Sequence, residues 1–392
     1  MDHQDTYNQW RDELNRRLPD LSKPQAAELA LWSIGMVLAK RAALTSVALE
    51  LAAWLKEKYN SIRQRLRDWY RPAEHKSGKN RTDVAVRQHF CALVSWVISL
   101  LSGNKIALAL DASTRKDDLT VLCVSVLVCG CAIPIAWRIL PGNQPDHWQE
   151  HWLHLLDQLH GIFGSDKFVV VLTDRGLWAP WLFEAIQKNG WHPLMRINPS
   201  RGQIAHYFKA KGHPWEPLSA FVPRKGQQKC LTGLAFKKRS LPCRLIVFFG
   251  LSAKEPWYLL TDLAVDQGQW YGLRFWIEHQ FKLIKSDGWD WEKSQIKDWD
   301  RAERLWLAYA VSLLWAQSFG SHAEEKDVFG ESYLNKPIGS GLRHNAFPKR
   351  LISVFKKGMA LLANAIQQGA NILCQKFAPD AINNLVPIPD TS

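Results

Sequence analysis

The 392-residue sequence lacks the cysteine patterns of disulfide-rich domains and of zinc-binding modules. Its seven cysteines are an odd number, and no two of them are spaced as Cys-x-x-Cys. This excludes a disulfide framework and a zinc signature. The first residues, MDHQDTYNQWRDELNRR, also lack the basic and then apolar order of a signal peptide. We therefore expect a cytoplasmic protein.

Uncharged runs long enough for a membrane span are nearly absent too. The exception is 119–137, which contains no charged residue and is long enough to cross a bilayer. Its many Val, Cys and Ile residues favour strands, and Gly130 and Pro134 interrupt it. We predict two antiparallel strands joined by a turn near Gly130, and no membrane partner.

Acidic residues are the minority charge, with 37 Asp and Glu against 50 Lys and Arg and a formal net charge of +13. Such an excess favours a polyanionic partner. It is concentrated between Arg201 and Arg244, where Glu216 is the single acid. The basic residues inside that segment are Lys209, Lys211, Arg224, Lys225, Lys229, Lys237, Lys238 and Arg239. We interpret the segment, with Lys237, Lys238 and Arg239, as a surface for a DNA backbone.

Residues 1–100 have the patterns of helices. LSKPQAAELALWSIGMVLAKRA begins with a Ser cap and an early Pro, LTSVALELAAWLKEKY with a Thr/Ser cap, and NSIRQRLRDWY with an Asn cap. Three short helices with a basic last one predict a helix-turn-helix-like module that binds DNA. The predicted contacts are Arg63, Arg65, Arg67 and Arg71, followed by Lys76, Lys79 and Arg81 in the loop beyond. The alternative is an ordinary charged surface helix, since Arg65 does not share the face of Arg63 and Arg67.

Two aspartates end short aliphatic runs. Asp111 ends IALALD and Asp174 ends FVVVLTD. Both runs are typical of buried strands, and a carboxylate at such a strand end lies where the sheet opens to solvent. For each aspartate alone, a turn or helix-capping role is the alternative.

The stretch WYGLRFWIEHQFKLIKSDGW carries four polar groups at regular spacing: Tyr271, Arg274, Glu278 and Lys285. On one α-helix these positions stay within about a quarter turn of a single line. We expect the carboxylate to bind a metal ion, and the hydroxyl and the two cations to bind a backbone phosphate. A solvated charged face is the alternative.

The order Asp111, Asp174, Glu278, with the Tyr-(2)-Arg-(3)-Glu-(6)-Lys spacing, resembles the DDE transposases of bacterial insertion sequences. It looks most like the insertion-sequence-four family, whose signature is this Tyr-Arg-Glu-Lys pattern. LDAS around the first aspartate and TDRG around the second are similar to that family's segments. The likeness covers most of the chain and is strongest over 106–320.

The resemblance implies two Mg²⁺ ions, replaceable by Mn²⁺, held by Asp111, Asp174 and Glu278. It implies cleavage at the terminal inverted-repeat DNA of the element, and attack of the freed 3′-hydroxyl on target DNA. The partners are then both DNAs and a second copy of the chain, as a homodimer on DNA, and the cytoplasmic protein would be associated with the nucleoid. Tyr271 is read as a phosphate ligand, and the alternative of a recombinase nucleophile is disfavoured because no Arg/His set accompanies it.

The predicted elements after residue 100 match the fold that the resemblance implies, a ribonuclease-H-like α/β catalytic domain. Strands are predicted at 106–111, 119–129, 132–140, 168–173 and 192–197, and helices near 147–160 and 178–189. In such a fold the first strand lies beside the fourth, which brings Asp111 to Asp174. The predicted domains are 1–100, a helical DNA-binding domain; 101–320, the catalytic domain with a β-rich basic insertion at about 199–268; and 321–392, a helical C-terminal region.

Two other functions fit the same residues. One is a catalytically silent relative that binds DNA as a regulator, and the intact Asp111, Asp174 and Glu278 argue against it. The other is a different two-metal nuclease of the same fold, and the Tyr-Arg-Glu-Lys spacing argues against that.

Overall fold

The structure is a computed structural model that describes residues 2–78, 81–142, 148–263, 268–330 and 350–379. Lys79, a predicted DNA contact, lies outside the described residues, as does most of the polar segment before the last helix. The buried apolar side chains of the described residues form one cluster that extends from Tyr7 to Phe377.

The described part of the first hundred residues contains five α-helices where the sequence predicted three. They are α1 His3–Arg17, α2 Lys23–Ala39, α3 Leu44–Leu55, α4 Tyr59–Tyr70 and α5 Phe90–Leu100. The start of α2 is confirmed, since the Ser22 hydroxyl accepts from the Gln25 amide and a proline stands in the first turn. The caps predicted for the next two helices are wrong, because Ala43 and Lys58 stand there and neither side chain caps. Their buried apolar faces hold these helices instead.

The rest of the chain begins with a sheet that has ten strands among the described residues. The strands of the first half are β1 Lys105–Arg115, β2 Leu119–Val128, β3 Cys131–Pro141, β4 Phe168–Thr173 and β5 His192–Ile197. Helices α6 Trp148–Gln158 and α7 Pro180–Lys188 lie between them in sequence. All five strands and both helices were predicted, and the uncharged run at 119–137 is the predicted hairpin of β2 and β3.

The order of these five strands across the sheet is β3-β2-β1-β4-β5. β1, β4 and β5 run parallel, while β2 is antiparallel to both of its neighbours. The predicted neighbourhood of the first and fourth strands is therefore confirmed. β1 is longer than predicted and runs past Asp111, because its antiparallel pairing with β2 continues to Arg115. Its parallel pairing with β4 ends at Leu110 opposite Thr173, immediately before the two aspartates.

The β-rich segment expected at about 199–268 extends this sheet. Its strands are β6 Ser200–Arg201, β7 Ile204–Ala205, β8 Tyr207–Ala210, β9 Trp215–Pro217, β10 Gln227–Ala235, β11 Leu241–Phe249 and β12 Trp257–Thr261. β6 and β7 form a separate two-stranded sheet. β12 pairs antiparallel with β5, and β11, β10, β8 and β9 follow outward. The insertion and the first five strands thus share one continuous backbone ladder.

The last helices complete the core. They are α8 Phe275–Lys282, α9 Trp299–Glu325 and α10 Val354–Gln368. α9 is buried along most of its length, and Trp315 stacks on Trp10 with ring centroids 3.8 Å apart. α10 crosses α9 so closely that a Cβ at Gly358 would lie 1.7 Å from the Ala316 carbonyl oxygen. Because α9 packs on both the first helices and β3, the core continues across the predicted domain boundaries, which stay a prediction.

Within the described residues, none of the helices combines the length and the apolar character needed to cross a membrane.

Candidate active site

The two predicted aspartates lie side by side at the edge where β1 and β4 stop pairing. Asp111 Oδ1 accepts from the Ala112 amide at 2.9 Å. Asp174 Oδ1 accepts from the amides of Gly176 and Leu177 at 2.8 and 2.9 Å, which folds TDRG into a tight turn. A Cβ at position 176 would lie 3.2 Å from that oxygen, so glycine leaves room for the carboxylate.

Arg274 brings the three predicted acids together. Its Nη2 donates to Asp111 Oδ2 at 2.8 Å and lies 3.6 Å from Asp174 Oδ2. Its Nη1 donates to Glu278 Oε1 at 2.6 Å, one helical turn along the chain. Since all three carboxylates contact one guanidinium, they lie well within the ~10 Å that a compact two-metal site requires. Arg274 had been predicted to bind phosphate, and its contacts with the acids were not predicted.

These four side chains differ in their access to water. The side chains of Arg274 and Asp111 are 11% and 14% exposed, whereas Glu278 is 50% exposed. Burial raises the pKa of the Asp111 carboxyl to about 6, despite the opposing influence of the Arg274 guanidinium. Burial alone would lower the pKa of Arg274, but the surrounding carboxylates raise it above its ordinary value. Arg274 therefore remains a cation.

The arrangement leaves one buried donor of Arg274 without a partner. Among the described residues, Nε of Arg274 has no hydrogen-bond acceptor. An orphaned donor of this kind destabilises a structure by about 1–3 kcal/mol. The position of Arg274 among the acids therefore carries a desolvation cost.

Tyr271 supports the end of β4. Its hydroxyl donates to the Thr173 carbonyl at 3.1 Å, next to Asp174, and the residue is 2% exposed. The ring packs edge-on against Trp257. Burial raises the pKa of the Tyr271 phenol far above its usual range, so the hydroxyl keeps its proton. This contact was not predicted, and the phosphate-binding role stays a prediction.

The prediction of a single α-helical face for Tyr271, Arg274, Glu278 and Lys285 is wrong. Gly268–Arg274 is a 3₁₀-helix, Phe275–Lys282 is α-helical, and Leu283–Asp287 is a π-helix. The tighter and the wider turns change the angle per residue, so the spacing does not keep the four side chains in line. Lys285 Nζ lies 3.9 Å from Glu292 Oε1, and within the described residues it forms no salt bridge with the three acids. Its role toward phosphate stays a prediction.

The predicted DNA contacts of α4 are not equivalent. Arg65 donates to the Tyr7 hydroxyl at 3.1 Å and lies 3.3 Å from Glu57. Arg63 and Arg67 form no salt bridge within the described residues. Of these three arginines, only Arg63 and Arg67 are therefore free to neutralise a polyanion.

The basic residues between β10 and β11 differ in the same way. Arg239 is paired with Glu184 on α7. Lys238 is exposed, and the Lys237 ammonium lies 5.0 Å from the centre of the Tyr207 ring. Lys237 and Lys238 thus offer their charges to solvent in the turn between β10 and β11.

Sequence reasoning identified the three acids and missed their common partner. A signal for it was present, because Arg274 and Glu278 are four residues apart and of opposite charge, which predicts an ion pair on a helix. The contacts of Arg274 with Asp111 and Asp174 join residues that are 163 and 100 positions apart and had no local signal.

Comparisons with known proteins bear on this site. Residues 133–315 match the family model described as a transposase DDE domain. The match covers somewhat less than half of the chain; it includes Asp174, Arg274 and Glu278 and begins after Asp111. No curated protein matches the sequence.

Among solved structures, a cryo-EM structure of a piggyBac transposase synaptic complex with hairpin DNA is similar. The similarity spans 94% of this chain and 80% of that one, with 10% sequence identity and a TM-score of 0.44. At this level the likeness assigns no role to any residue.

Proposed function

We propose that this chain, which carries a transposase DDE domain, cuts the ends of a bacterial insertion sequence of the insertion-sequence-four type and joins them to target DNA. The single observation that carries the proposal is the convergence of Asp111, Asp174 and Glu278 on one point. In a ribonuclease-H-like fold this is the place of the catalytic acids.

The donor set suits divalent cations. Carboxylate oxygens are the ligands preferred by Mg²⁺ and Mn²⁺. In the described ranges, no three acidic, His or Cys side chains stand in an arrangement ready to share an ion. The guanidinium of Arg274 lies between the oxygens of the three acids. Asp111, Asp174 and Glu278 would hold two Mg²⁺ ions, or Mn²⁺ in their place, once Arg274 has moved aside.

The chemistry that such cations supply when bound is activation of the attacking oxygen and stabilisation of the leaving oxygen. The protein's own residues position the acids and the phosphate. Tyr271 holds the end of β4, and the turn at Gly176 orients Asp174. Arg274, released from the carboxylates, offers its guanidinium to the phosphate beside the scissile bond, with Lys285 as a second cation. No covalent protein–DNA intermediate is required, so no tyrosine nucleophile takes part.

DNA would be held by basic residues outside the acidic site. Lys237 and Lys238 of the insertion and Arg63 and Arg67 of α4 are the proposed backbone contacts, while Arg65 and Arg239 are held by acids. Contacts of this kind fix the position of a duplex without reading its sequence.

The test uses the DNA that flanks the gene. Matched inverted repeats found there provide the end duplex, and cleavage and gel shift are measured on the same protein preparations with Mg²⁺ or Mn²⁺. The wild type should nick the end and transfer the strand, whereas Asp174→Asn should bind the end and fail to nick it. Arg65→Gln, which alters a paired surface arginine, is the control.

Each alternative has its own outcome. Binding without nicking by the wild type would favour a silent regulator, and nicking without strand transfer would favour another nuclease. Nicking by Asp174→Asn would refute the assignment of the acids.

Joining two ends to one target requires two active sites in one complex, so we expect a homodimer on DNA. The positive net charge of the chain repels a second copy until DNA neutralises that charge. Mass measurement with and without end DNA tests this. Strand transfer by a complex of one protein and one end would contradict it.

A further inference from the structure

The end of α4 is fixed on the second turn of α9. The buried Trp69 indole donates to the Arg304 carbonyl at 3.0 Å. In return, Nη1 of Arg304 donates to the Tyr70 carbonyl at 3.1 Å. These bonds join residues more than 230 positions apart, so α4 and α9 form one surface at this point, which we term the α4–α9 seam.

Three arginines act electrostatically on the Tyr70 phenol at the seam. Arg63 and Arg67 are one turn apart on α4, and Tyr70 lies three residues beyond Arg67, so the three share a side of the helix. Arg301 lies one turn before Arg304 on α9 and so shares the side of that helix from which Arg304 contacts Tyr70. Burial raises the pKa of Tyr70, and the charged groups that act against this shift are Arg67, Arg63 and Arg301. The phenol is therefore in a cationic environment.

These arginines lack acidic partners, although their neighbours have them. In the part of the chain that the structure describes, Arg63, Arg67 and Arg301 form no salt bridge. Arg65, by contrast, pairs with Glu57 at 3.3 Å, and Arg304 pairs with Asp83 at 3.3 Å. Like charges held together by two packed helices repel one another, and an anion would relieve that repulsion.

We infer that Arg63, Arg67, Arg301 and the Tyr70 hydroxyl bind a backbone phosphate of DNA at the α4–α9 seam. Guanidinium forks and a phenol donor match the oxygens of a phosphodiester. The choice of DNA as the ligand rests on the proposed function. The DNA-binding surface then includes α9 and excludes Arg65. One phosphate would contact both α4 and α9, the helix that follows the active site in sequence.

The experiment measures the affinity of the full chain for a short duplex over a range of salt concentrations. Losing one phosphate contact should reduce the slope of log K against log salt by about one unit. Arg301→Gln, Arg63→Gln and Arg67→Gln should each weaken binding and reduce the slope by less than one unit, because the two remaining arginines still neutralise part of the phosphate charge. Arg301→Lys should restore the slope, and the matched control Arg65→Gln should leave it unchanged.

Two further measurements make the site specific. Tyr70→Phe should weaken binding several-fold with an unchanged slope, because the phenol is neutral. The double variant Arg67→Gln/Arg301→Gln should reduce the slope by about one unit and not two, because both residues serve one phosphate. Thermal unfolding in the absence of DNA checks that each variant is folded.

An unchanged slope for Arg301→Gln, with reduced slopes for Arg63→Gln and Arg67→Gln, would refute a phosphate site at the α4–α9 seam. The DNA contact would then lie on α4 alone. Displacement of the duplex by inorganic phosphate at constant ionic strength would assign the site to a small anion and refute it as well. The proposed function fails differently, through absent cleavage by the wild type. An unrelated duplex of the same length therefore tests the seam even if no end is cut.

Discussion

Removing the guanidinium of Arg274 should convert a neutralised acidic cluster into a site that binds divalent cations in the absence of DNA. In Arg274→Ala, Asp111, Asp174 and Glu278 lose the one cation that they share. Removing one partner of a buried ion pair destabilises a protein by about 3–5 kcal/mol. We expect the lower end, about 3 kcal/mol at pH 8, because Glu278 is half exposed and stays hydrated.

Divalent cations should then replace the arginine. A free concentration a hundredfold above the Kd adds about 2.7 kcal/mol to the free energy of unfolding. Mn²⁺ should therefore return most of the lost stability to Arg274→Ala. It should stabilise the wild type much less, since there the ion must first displace the guanidinium from three carboxylates.

Urea unfolding of the DNA-free protein at pH 8, with and without Mn²⁺, measures both effects. The control is Lys282→Ala, which removes an exposed ion pair with Asp287 and should change stability by less than about 1 kcal/mol. Equal stabilisation of the wild type and of Arg274→Ala by Mn²⁺ would refute the idea that Arg274 and cations compete for the same carboxylates.

Three further predictions follow from buried contacts. Tyr271→Phe should lower the free energy of unfolding by about 1 kcal/mol through loss of the bond to the Thr173 carbonyl, and should leave DNA-end affinity unchanged; a drop in affinity at unchanged stability would favour the phosphate role. Burial raises the pKa of Glu28 from 4.5 to about 7, so its charge opposes folding and stability should fall as pH rises between those values. At pH 8 the free energy of unfolding of Glu28→Gln, measured with urea, should thus exceed that of the wild type by up to about 3 kcal/mol, and the difference should be smaller at pH 5. A difference independent of pH would exclude this cause. Gly358→Ala should lose more than about 2 kcal/mol, because its Cβ would overlap the Ala316 carbonyl, and wild-type stability would show that α10 can shift.

Local pattern was enough to locate the strands and the acids. The aliphatic runs ended by Asp111 and Asp174 predicted both strands; the bounds of β4 agree, whereas β1 continues four residues beyond Asp111. The Gly130 turn separated a hairpin from a membrane span. Their side-by-side position required the fold order as well, and the parallel pairing of β1 and β4 confirms it.

Helix geometry beyond the α-helical period could not be read in this way. Four side chains share one face only if the angle per residue is constant along the helix. The 3₁₀ and π segments on either side of α8 change that angle. The 3₁₀ segment packs against β4 and β11, and periodicity along the chain does not record such contacts.

The sequence by itself determined the strand and helix segments, the excess of basic residues and the position of Asp111 and Asp174 after aliphatic runs, because these depend on residue types and on neighbours along the chain. The tertiary structure decided which charges meet. It joined Arg274 to Asp111 and Asp174 and paired Arg65 with Glu57, and among the described residues it gave Arg301 no salt bridge. A side chain's partners depend on the elements that pack across from it, and those contacts span separations for which the sequence has no local signal.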